Sequence, residues 1–398
     1  MKGKIFNLVR KPIKEFLSFD KDVINYMIMH WCGGVFLIYA SLIPVLMNKM
    51  GLSIINAGII FSIAAIFDVL LTFILRKVFD RVSPNTGMAL DWLTESLPAI
   101  IFGFASTGFH FMLGGLAQKV TNILNPVYKI YENEIFPEKN RSLVYTYHFI
   151  TPEIFTVIIY PIVGYLLTYK FTEIIHLRYV FFICGIGYLF VALIPLKKLK
   201  RVEPTKIIFN KTKSHIPKKL YLGASAQIFV LIGLGLTSTL LTSYYILEKM
   251  NGSIMDILML EVVRAIVVLI TGMFTKNLNK YISDEKIAQY GIVFFMIFAL
   301  LMVIANNYTI VLIAFVFQAI GDTIWFPSHS SLLMEYVPKS IRGEFFASLS
   351  SAGKLVNVLL PIISGLLAKY FGFFIPFCMA FVMFIIVCFI YQKLLKQI

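Results

Sequence analysis

The sequence predicts an all-α integral membrane protein with about twelve transmembrane helices in two six-helix bundles related by a pseudo-two-fold axis. The first observation is composition, because 59% of the 398 residues are hydrophobic and only 14% are charged, whereas soluble domains average about 25% charged residues. The second is the recurrence of apolar runs of about 20 residues, the length of helix that crosses about 30 Å of hydrocarbon. The third is a charged, proline-containing phrase that occurs once in each half of the chain.

The apolar runs divide into twelve predicted spans, which we number along the chain. Their expected limits are 23–47, 53–75, 87–108, 110–128, 143–168, 177–196, 220–247, 254–274, 287–306, 309–334, 343–368 and 372–392. A segment with nine Lys or Arg and one Glu separates six spans from six and is interpreted as a solvated linker. The sequence thus predicts four parts, which are an N-terminal segment 1–22, a bundle 23–196, the linker 197–219 and a bundle 220–398.

Basic residues lie almost entirely on one predicted side of the membrane. The N-terminal segment, the even-numbered loops and the C-terminus carry 28 of the 36 Lys and Arg residues, and the opposite loops carry five. Because basic loops stay in the cytosol, we expect both termini to be cytosolic and the chain to be a multi-pass protein of the plasma membrane. This orientation and contact with anionic lipids explain the net charge of +15 without a nucleic-acid partner.

The sequence contains no P-loop, HExxH, GxSxG or CxxC constellation, which argues against enzyme chemistry. The four cysteines lie inside apolar runs and form no disulfide or metal-binding pattern. We therefore expect no cofactor and no metal. The predicted partners are a small solute, protons and membrane lipids, and the protein is predicted to be a monomer.

The repeated phrase reads ENEIFPEKNRS at 132–142 and MEYVPKSIRGE at 334–344. Five residues of the first half recur in the second half at a constant separation of 201 residues. The matching pairs are Glu134 and Glu335, Pro137 and Pro338, Arg141 and Arg342, Pro126 and Pro327, and Gly164 and Gly365. An offset of six spans keeps the same orientation, so the halves are predicted to be parallel repeats related by an axis normal to the membrane.

This arrangement resembles the major facilitator superfamily, whose members carry two six-helix bundles, a basic central loop and a P-x-x-x-R-(G) turn after spans 4 and 10. The loop LRKVFDRVSPNTG between spans 2 and 3 is similar to the family signature G-x-x-x-D-R-x-G-x-R/K, but it has Arg76, Ser83 and Asn85 in place of three signature residues. The resemblance implies alternating access. The residues expected to gate it, or simply to anchor helix ends, are Asp80, Arg81, Glu134, Arg141, Glu335 and Arg342.

Eight ionisable residues fall inside predicted spans, where each costs roughly 2.5–3.5 kcal/mol to insert. They are Asp68, Glu95, Lys119, Glu153, Glu261, Arg264, Asp322 and Lys354. Depth counted from the repeated prolines allows Lys119 to pair with Glu153 and Asp322 with Lys354. The family's packing of span 5 on span 8 and span 2 on span 11 instead implies the pairs Glu153–Arg264 and Asp68–Lys354. Asp91, nearer the end of span 3, is interpreted as a partner for Arg76 or Arg81.

Span 10 carries polar and amphipathic residues at i, i+4, i+7 and i+11, which predicts one helical face that lines a cavity. These residues are Gln318, Asp322, Trp325 and His329. Spans 4 and 11 offer Gln118, Asn122, Asn125, Ser350, Lys354 and Asn357, and the resemblance adds His30, Trp31, Tyr244 and Tyr245 as weaker candidates. His148 and His329 are further candidates for carrying protons.

We predict a secondary active transporter that moves an amphiphilic, anionic or zwitterionic organic solute and is coupled to protons. The predicted substrate-binding residues are Gln318, Asp322, Trp325, Lys354, Asn357, Asn122, Asn125 and Arg264, and the predicted proton-coupling residues are Asp322 and Glu153. A lipid flippase or scramblase of the same fold, or a transport-inactive membrane sensor, is the alternative.

Overall fold

The computed structural model describes residues 16–75, 82–121, 124–137, 141–203, 218–275, 278, 281–338 and 342–396. Over these ranges the helices follow the order of the twelve predicted spans. Spans 1 to 6 are Lys21–Phe36 with Ile38–Lys49, Ile54–Leu75, Pro84–Phe104, Gly108–Thr121 with Asn125–Ile135, Arg141–Tyr165 extended by a π-turn Leu166–Lys170, and Ile174–Val191 with Leu193–Lys197. Spans 7 to 12 are Lys218–Leu236 with Thr239–Lys249, Ile254–Thr275, Asp284–Ile304, Tyr308–Tyr336, Arg342–Phe371 and Phe374–Leu395.

Within the described ranges, nine spans are long and apolar enough to cross a membrane by composition alone. Spans 3, 4 and 8 do not reach this threshold. Their acidic and basic side chains face protein and cavity instead of lipid, because neighbouring helices can satisfy polar groups that hydrocarbon cannot. These spans therefore turn charged residues toward cavities, while apolar residues such as Leu97, Phe109 and Ile270 are exposed on their outer surface.

Each half packs around its own aromatic core. Tyr39, Phe181 and Tyr188 are fully buried in the N-terminal half, where their rings contact one another edge to face. In the C-terminal half, Phe295 and Phe384 are buried and their rings are stacked, with centroids 5.3 Å apart. Such aromatic pairs stabilise by about 0.5–1.5 kcal/mol beyond the area that they bury.

Two helix pairs form the seam between the halves, because span 2 packs along span 11 and span 5 packs along span 8. Small residues allow these close approaches. A Cβ added at Gly164 would lie 2.8 Å from Sδ of Met255, and one added at Gly365 would lie 3.0 Å from the carbonyl oxygen of Ile54. Ile54 and Met255 are themselves 201 residues apart, so the two contacts are equivalent under the repeat. The repeated glycines thus have a structural explanation, which is close backbone packing across the seam.

Twelve spans return the chain to its starting side, which we call the terminal side, and we call the opposite membrane face the far side. Near the far side, the second halves of spans 1 and 7 pack on each other. Asn48 Nδ2 donates to Glu248 Oε1 at 3.1 Å, and the Tyr244 hydroxyl donates to the carbonyl of Leu52 at 2.8 Å. The far side is therefore closed by contacts between the two halves.

The chain leaving span 6 is held against the N-terminal half by Asn85. Its Nδ2 donates to the carbonyl oxygens of Pro195 and Lys200, each at 3.0 Å, and its Oδ1 accepts from the Val202 amide at 3.0 Å. Asn85 stands where the family signature has a basic residue, and here it fastens the start of the linker. The four-part division stays a prediction, since 1–15 and 204–217 lie outside the described residues.

Candidate functional site

A polar cavity of about 510 Å³ lies in the N-terminal half. Its wall combines three carboxylates, one ammonium, one amide and several aromatic rings. The lining residues are Tyr26, His30, Leu37, Asp91, Trp92, Glu95, Gln118, Lys119, Thr121, Tyr128, Glu132 and His148. Spans 1, 3, 4 and 5 supply them, so the first half of the repeat builds this cavity by itself.

Helical spacing explains how these side chains meet. On each of three helices, two of the lining residues are four positions apart. These pairs are Tyr26 and His30 on span 1, Asp91 and Glu95 on span 3, and Tyr128 and Glu132 on span 4. Residues at i and i+4 share one face of a helix, with Cβ atoms about 5–6 Å apart. Each of these three helices therefore presents two polar side chains to the same cavity.

A tyrosine hydroxyl donates to each of the three carboxylates. The Tyr128 hydroxyl donates to Asp91 Oδ2 at 2.5 Å, and the Tyr39 hydroxyl donates to Glu95 Oε1 at 2.7 Å. Glu132, only 2% exposed, accepts from Tyr26 at 2.9 Å and from Tyr145 at 3.0 Å, and its Oε1 lies 3.8 Å from His148 Nε2. These donors fix the orientation of the acidic groups in the cavity wall.

Sequence reasoning missed Glu132 and assigned Asp91 elsewhere. Glu132 falls inside the repeated phrase and beyond the predicted limit of span 4 at 128, but it lies in the last turns of helix Asn125–Ile135. Asp91 accepts from Tyr128, while Arg76 and Arg81, its predicted partners, lie outside the described residues. The i, i+4 spacing of Tyr128 with Glu132 and of Asp91 with Glu95 is the signal that could have found this cavity.

A second cavity of about 370 Å³ lies in the C-terminal half between spans 7, 8 and 10. Span 7 contributes five hydroxyl side chains, span 8 contributes Glu261 and Arg264, and span 10 contributes Gln318 and Asp322. Ser238 Oγ, Thr242 Oγ1 and Gln318 Oε1 are buried atoms with no hydrogen-bond partner among the described residues. Because buried polar atoms normally have a hydrogen-bond partner, these three atoms are available to bind polar groups of a solute.

Arg264 joins the second cavity to the seam. Its Nε donates to Glu261 Oε2 at 2.9 Å, and its Nη2 lies 3.6 Å from Glu153 Oε1 on span 5 of the other half. The guanidinium therefore bridges an acid of its own span and an acid across the seam. Asp322 lines the same cavity as a third carboxylate.

The second seam pair is Lys354 with Asp68, whose Nζ and Oδ1 atoms are 2.7 Å apart. Both seam pairs follow the packing that the family resemblance implies. The pairing within hairpins is not formed, since Glu153 contacts Arg264 and Lys354 contacts Asp68. Lys354 also lines a third pocket of about 350 Å³ between spans 7 and 11, together with Gln227 and Asn357.

Span 10 does not present all four of its predicted residues to a cavity. Gln318 and Asp322 line the second cavity, but Trp325 is only 1% exposed and its Nε1 donates to the Tyr391 hydroxyl at 2.9 Å. His329 stacks on Trp325 with ring centroids 4.6 Å apart. The prediction that Trp325 and His329 line a cavity is wrong in this structure, because spans 9 and 12 cover that part of the helix.

Several predicted residues cannot be placed. Asp80, Arg81 and Asn122, and the side chains of Asn125, Arg141 and Arg342, lie outside the described part of the structure. Glu134 and Glu335 are exposed near the terminal side. The gating role of these residues stays a prediction.

Comparison with known proteins places this geometry in context. The family model described as Major Facilitator Superfamily matches residues 31–224 and 223–397. No curated protein sequence matches the chain. The described fold resembles three solved transporters at identities that show the fold alone.

The first is a bacterial homologue of the human lysosomal transporter Spinster in an inward-facing and occupied conformation, with a TM-score of 0.71, 13% identity, and 94% of this chain and 96% of that chain covered. The second is a bacterial homologue of the iron transporter ferroportin in an inward-facing state, with a TM-score of 0.72, 12% identity, and 93% and 98% covered. The third is a mutant of the nucleoside transporter NupG, with a TM-score of 0.69, 12% identity, and 93% and 99% covered.

Proposed function

The chain belongs to the Major Facilitator Superfamily, and we propose that it moves a small organic solute across the membrane by alternating access. One observation carries this proposal: two halves built on the same repeat meet at a seam, and each encloses a polar cavity deep among its spans. A membrane protein keeps charged groups at such depth at a substantial cost, which a substrate pathway explains. The fold family and the lining therefore support a transporter and not an enzyme.

The contacts between halves give the proposed direction of access. The second halves of spans 1 and 7 close the far side, so solute reaches the cavities from the terminal side. With both termini in the cytosol of a plasma-membrane protein, as the basic loops predict, this is an inward-facing state. In the alternate state the far-side contacts between Asn48 and Glu248 and between Tyr244 and Leu52 separate.

Proton coupling is assigned to the acids around Arg264. Glu153, Glu261 and Asp322 are three carboxylates grouped with a single guanidinium. Because unbalanced charge is unfavourable in a membrane interior, a proton on Asp322 or Glu153 stabilises the cluster. A solute with an anionic group displaces Glu153 from Arg264, and the released carboxylate takes up the proton. Solute and proton movement are thereby linked through one side chain.

The experiment uses the full chain reconstituted in liposomes that contain a pH-sensitive dye. Solutes are first selected by their stabilisation of the purified protein in a thermal-shift screen. Their flux is then measured with and without a pH gradient. We expect a gradient to accelerate flux severalfold and the variant Asp322→Asn to abolish that acceleration. The control variant Glu173→Gln alters an exposed carboxylate between spans 5 and 6 and is expected to behave as wild type. Equal rates with and without the gradient would remove proton coupling, and an absence of flux for every stabilising solute would remove transport.

A further inference from the structure

The N-terminal cavity carries an excess of negative charge. Asp91, Glu95 and Glu132 face a single ammonium, that of Lys119. His148 Nε2 lies 3.8 Å from Glu132 Oε1 and adds a positive charge there only when it is protonated. The one lysine can neutralise only one of the other two carboxylates, Asp91 and Glu95, and the tyrosine hydroxyls that contact them donate hydrogen bonds without adding positive charge. A cavity of this kind at membrane depth favours a cationic guest, because the guest supplies the charge that the surrounding helices and lipid do not.

Asp91 has an unused acceptor at the cavity wall. Its residue is 9% exposed, and its Oδ2 accepts from the Tyr128 hydroxyl, while Oδ1 is buried without a hydrogen-bond partner among the described residues. A buried carboxylate oxygen without a hydrogen-bond donor is unfavourable. Glu132 differs, since both of its oxygens accept from tyrosine hydroxyls. Asp91, with Glu95 one turn along span 3, is therefore where an additional donor is best accommodated.

Aromatic rings surround these two acids. Trp92 and Tyr128 line the cavity beside Asp91, and the His30 ring lies 5.9 Å from the Trp92 ring and 5.3 Å from the Tyr128 ring. The faces of tryptophan and tyrosine rings attract ammonium groups. Among the described residues no group of three His, Cys, Asp or Glu side chains could hold a metal ion. The chemistry of the wall thus suits an organic cation better than a metal.

We propose that the N-terminal cavity binds organic amines, with the ammonium group between Asp91 and Glu95 and the apolar part of the ligand against Trp92 and Tyr128. A cavity of about 510 Å³ accepts a molecule of drug-like size. As a statement about the transported solute, this inference rests on the proposed transport function.

Binding is tested on the full chain in detergent by isothermal titration calorimetry with three probes of equal size. These are 2-phenylethylamine, the neutral 2-phenylethanol and the anionic phenylacetate. We expect the amine to bind at least tenfold more tightly than either analogue. This comparison needs no variant, so misfolding cannot obscure it, and equal affinity for the amine and the alcohol would overturn the proposal.

Variants then locate the site. Asp91→Asn and Glu95→Gln keep the hydrogen-bonding shape and remove one negative charge each, and we expect each to weaken amine binding tenfold or more. The exposed Glu173→Gln serves as the matched control and is expected to change affinity less than twofold. Wild-type affinity in a folded Asp91→Asn protein would refute the site. Amine binding with no flux of the amine or of any other stabilising solute in liposomes would uphold this site and refute transport, whereas flux of other solutes without amine binding would refute the site alone.

Discussion

The seam between spans 2 and 11 makes the sharpest prediction, which is the variant Gly58→Ala. A Cβ at position 58 would lie 2.5 Å from the carbonyl oxygen of Pro361 and 3.2 Å from Cα of Ile362. Both are backbone atoms of a packed helix, so they cannot turn aside as a flexible side chain can. Ordinary contact begins at 3.4 Å, and the two spans must separate by about 0.9 Å at this point.

The expected magnitude follows from two opposing effects. Overpacking of a close helix contact costs about 1–3 kcal/mol, and replacing glycine by alanine inside a helix returns about 1 kcal/mol. Gly58→Ala should therefore lower the free energy of unfolding by up to about 2 kcal/mol. The helix gain is common to all folded conformations, so the full overpacking cost of about 1–3 kcal/mol acts against the far-side-closed state. Gly34→Ala is the matched control, because its new Cβ would lie 3.5 Å from Pro152 Cβ, an ordinary contact. That substitution should leave stability unchanged or raise it slightly.

Two measurements separate stability from conformation. Thermal unfolding in detergent should show a lower Tm for Gly58→Ala and an equal or higher Tm for Gly34→Ala. Hydrogen–deuterium exchange should accelerate in the far-side segments 46–53 and 246–253 of Gly58→Ala only, since their contacts depend on the closed seam. If the Tm of Gly58→Ala rises as in the control and its hydrogen–deuterium exchange is unchanged, spans 2 and 11 are not closely packed at Gly58.

Three other substitutions test single contacts. Lys354→Met removes the ammonium group that lies 2.7 Å from the buried Asp68, so the free energy of unfolding should fall by about 1–3 kcal/mol. In thermal unfolding, the double variant with Asp68→Asn should recover much of this loss. Trp325→Phe deletes the hydrogen-bond donor to Tyr391, so it should lower the free energy of unfolding by a similar amount and leave the KM for transport unchanged. A severalfold rise in KM would instead indicate that Trp325 contacts the substrate. Asn85→Ala removes the three hydrogen bonds that hold the start of the linker, and amide exchange in the segment after span 6 should speed up without a large change in Tm.

The fold could be predicted because a membrane restricts the choices. Lipid requires long apolar helices, and a repeat of 201 residues over twelve spans requires two parallel halves. Spans 3, 4 and 8 were still found, although their composition is less apolar, because turns and charged loops bound them on both sides. Helix breaks inside spans 1 and 7 were not predicted, since neither break contains a charged residue.

The site was less predictable because one helix pattern does not reveal its neighbours. The stripe on span 10 correctly placed four residues near one face, but periodicity does not say whether a cavity or another helix covers that face. Gln318 and Asp322 face a cavity, whereas Trp325 packs on span 12. The seam pairs illustrate the same limit, since depth alone suggested Lys119 as the partner of Glu153, whereas the packing of span 5 on span 8 places Arg264 beside it.

At the seam, some equivalent positions of the two halves carry the same residue, whereas others carry residues of opposite charge. Gly164 and Gly365 are identical because both must allow a neighbouring backbone to approach, and no other side chain meets that steric demand. Eleven residues earlier, or about 16 Å along each helix, Glu153 and Lys354 occupy equivalent positions with opposite charge. An ion pair requires only complementary partners, so the sign could invert once Arg264 and Asp68 stood opposite. The steric end of the seam is therefore symmetric, while the charges 11 residues away on each helix are inverted.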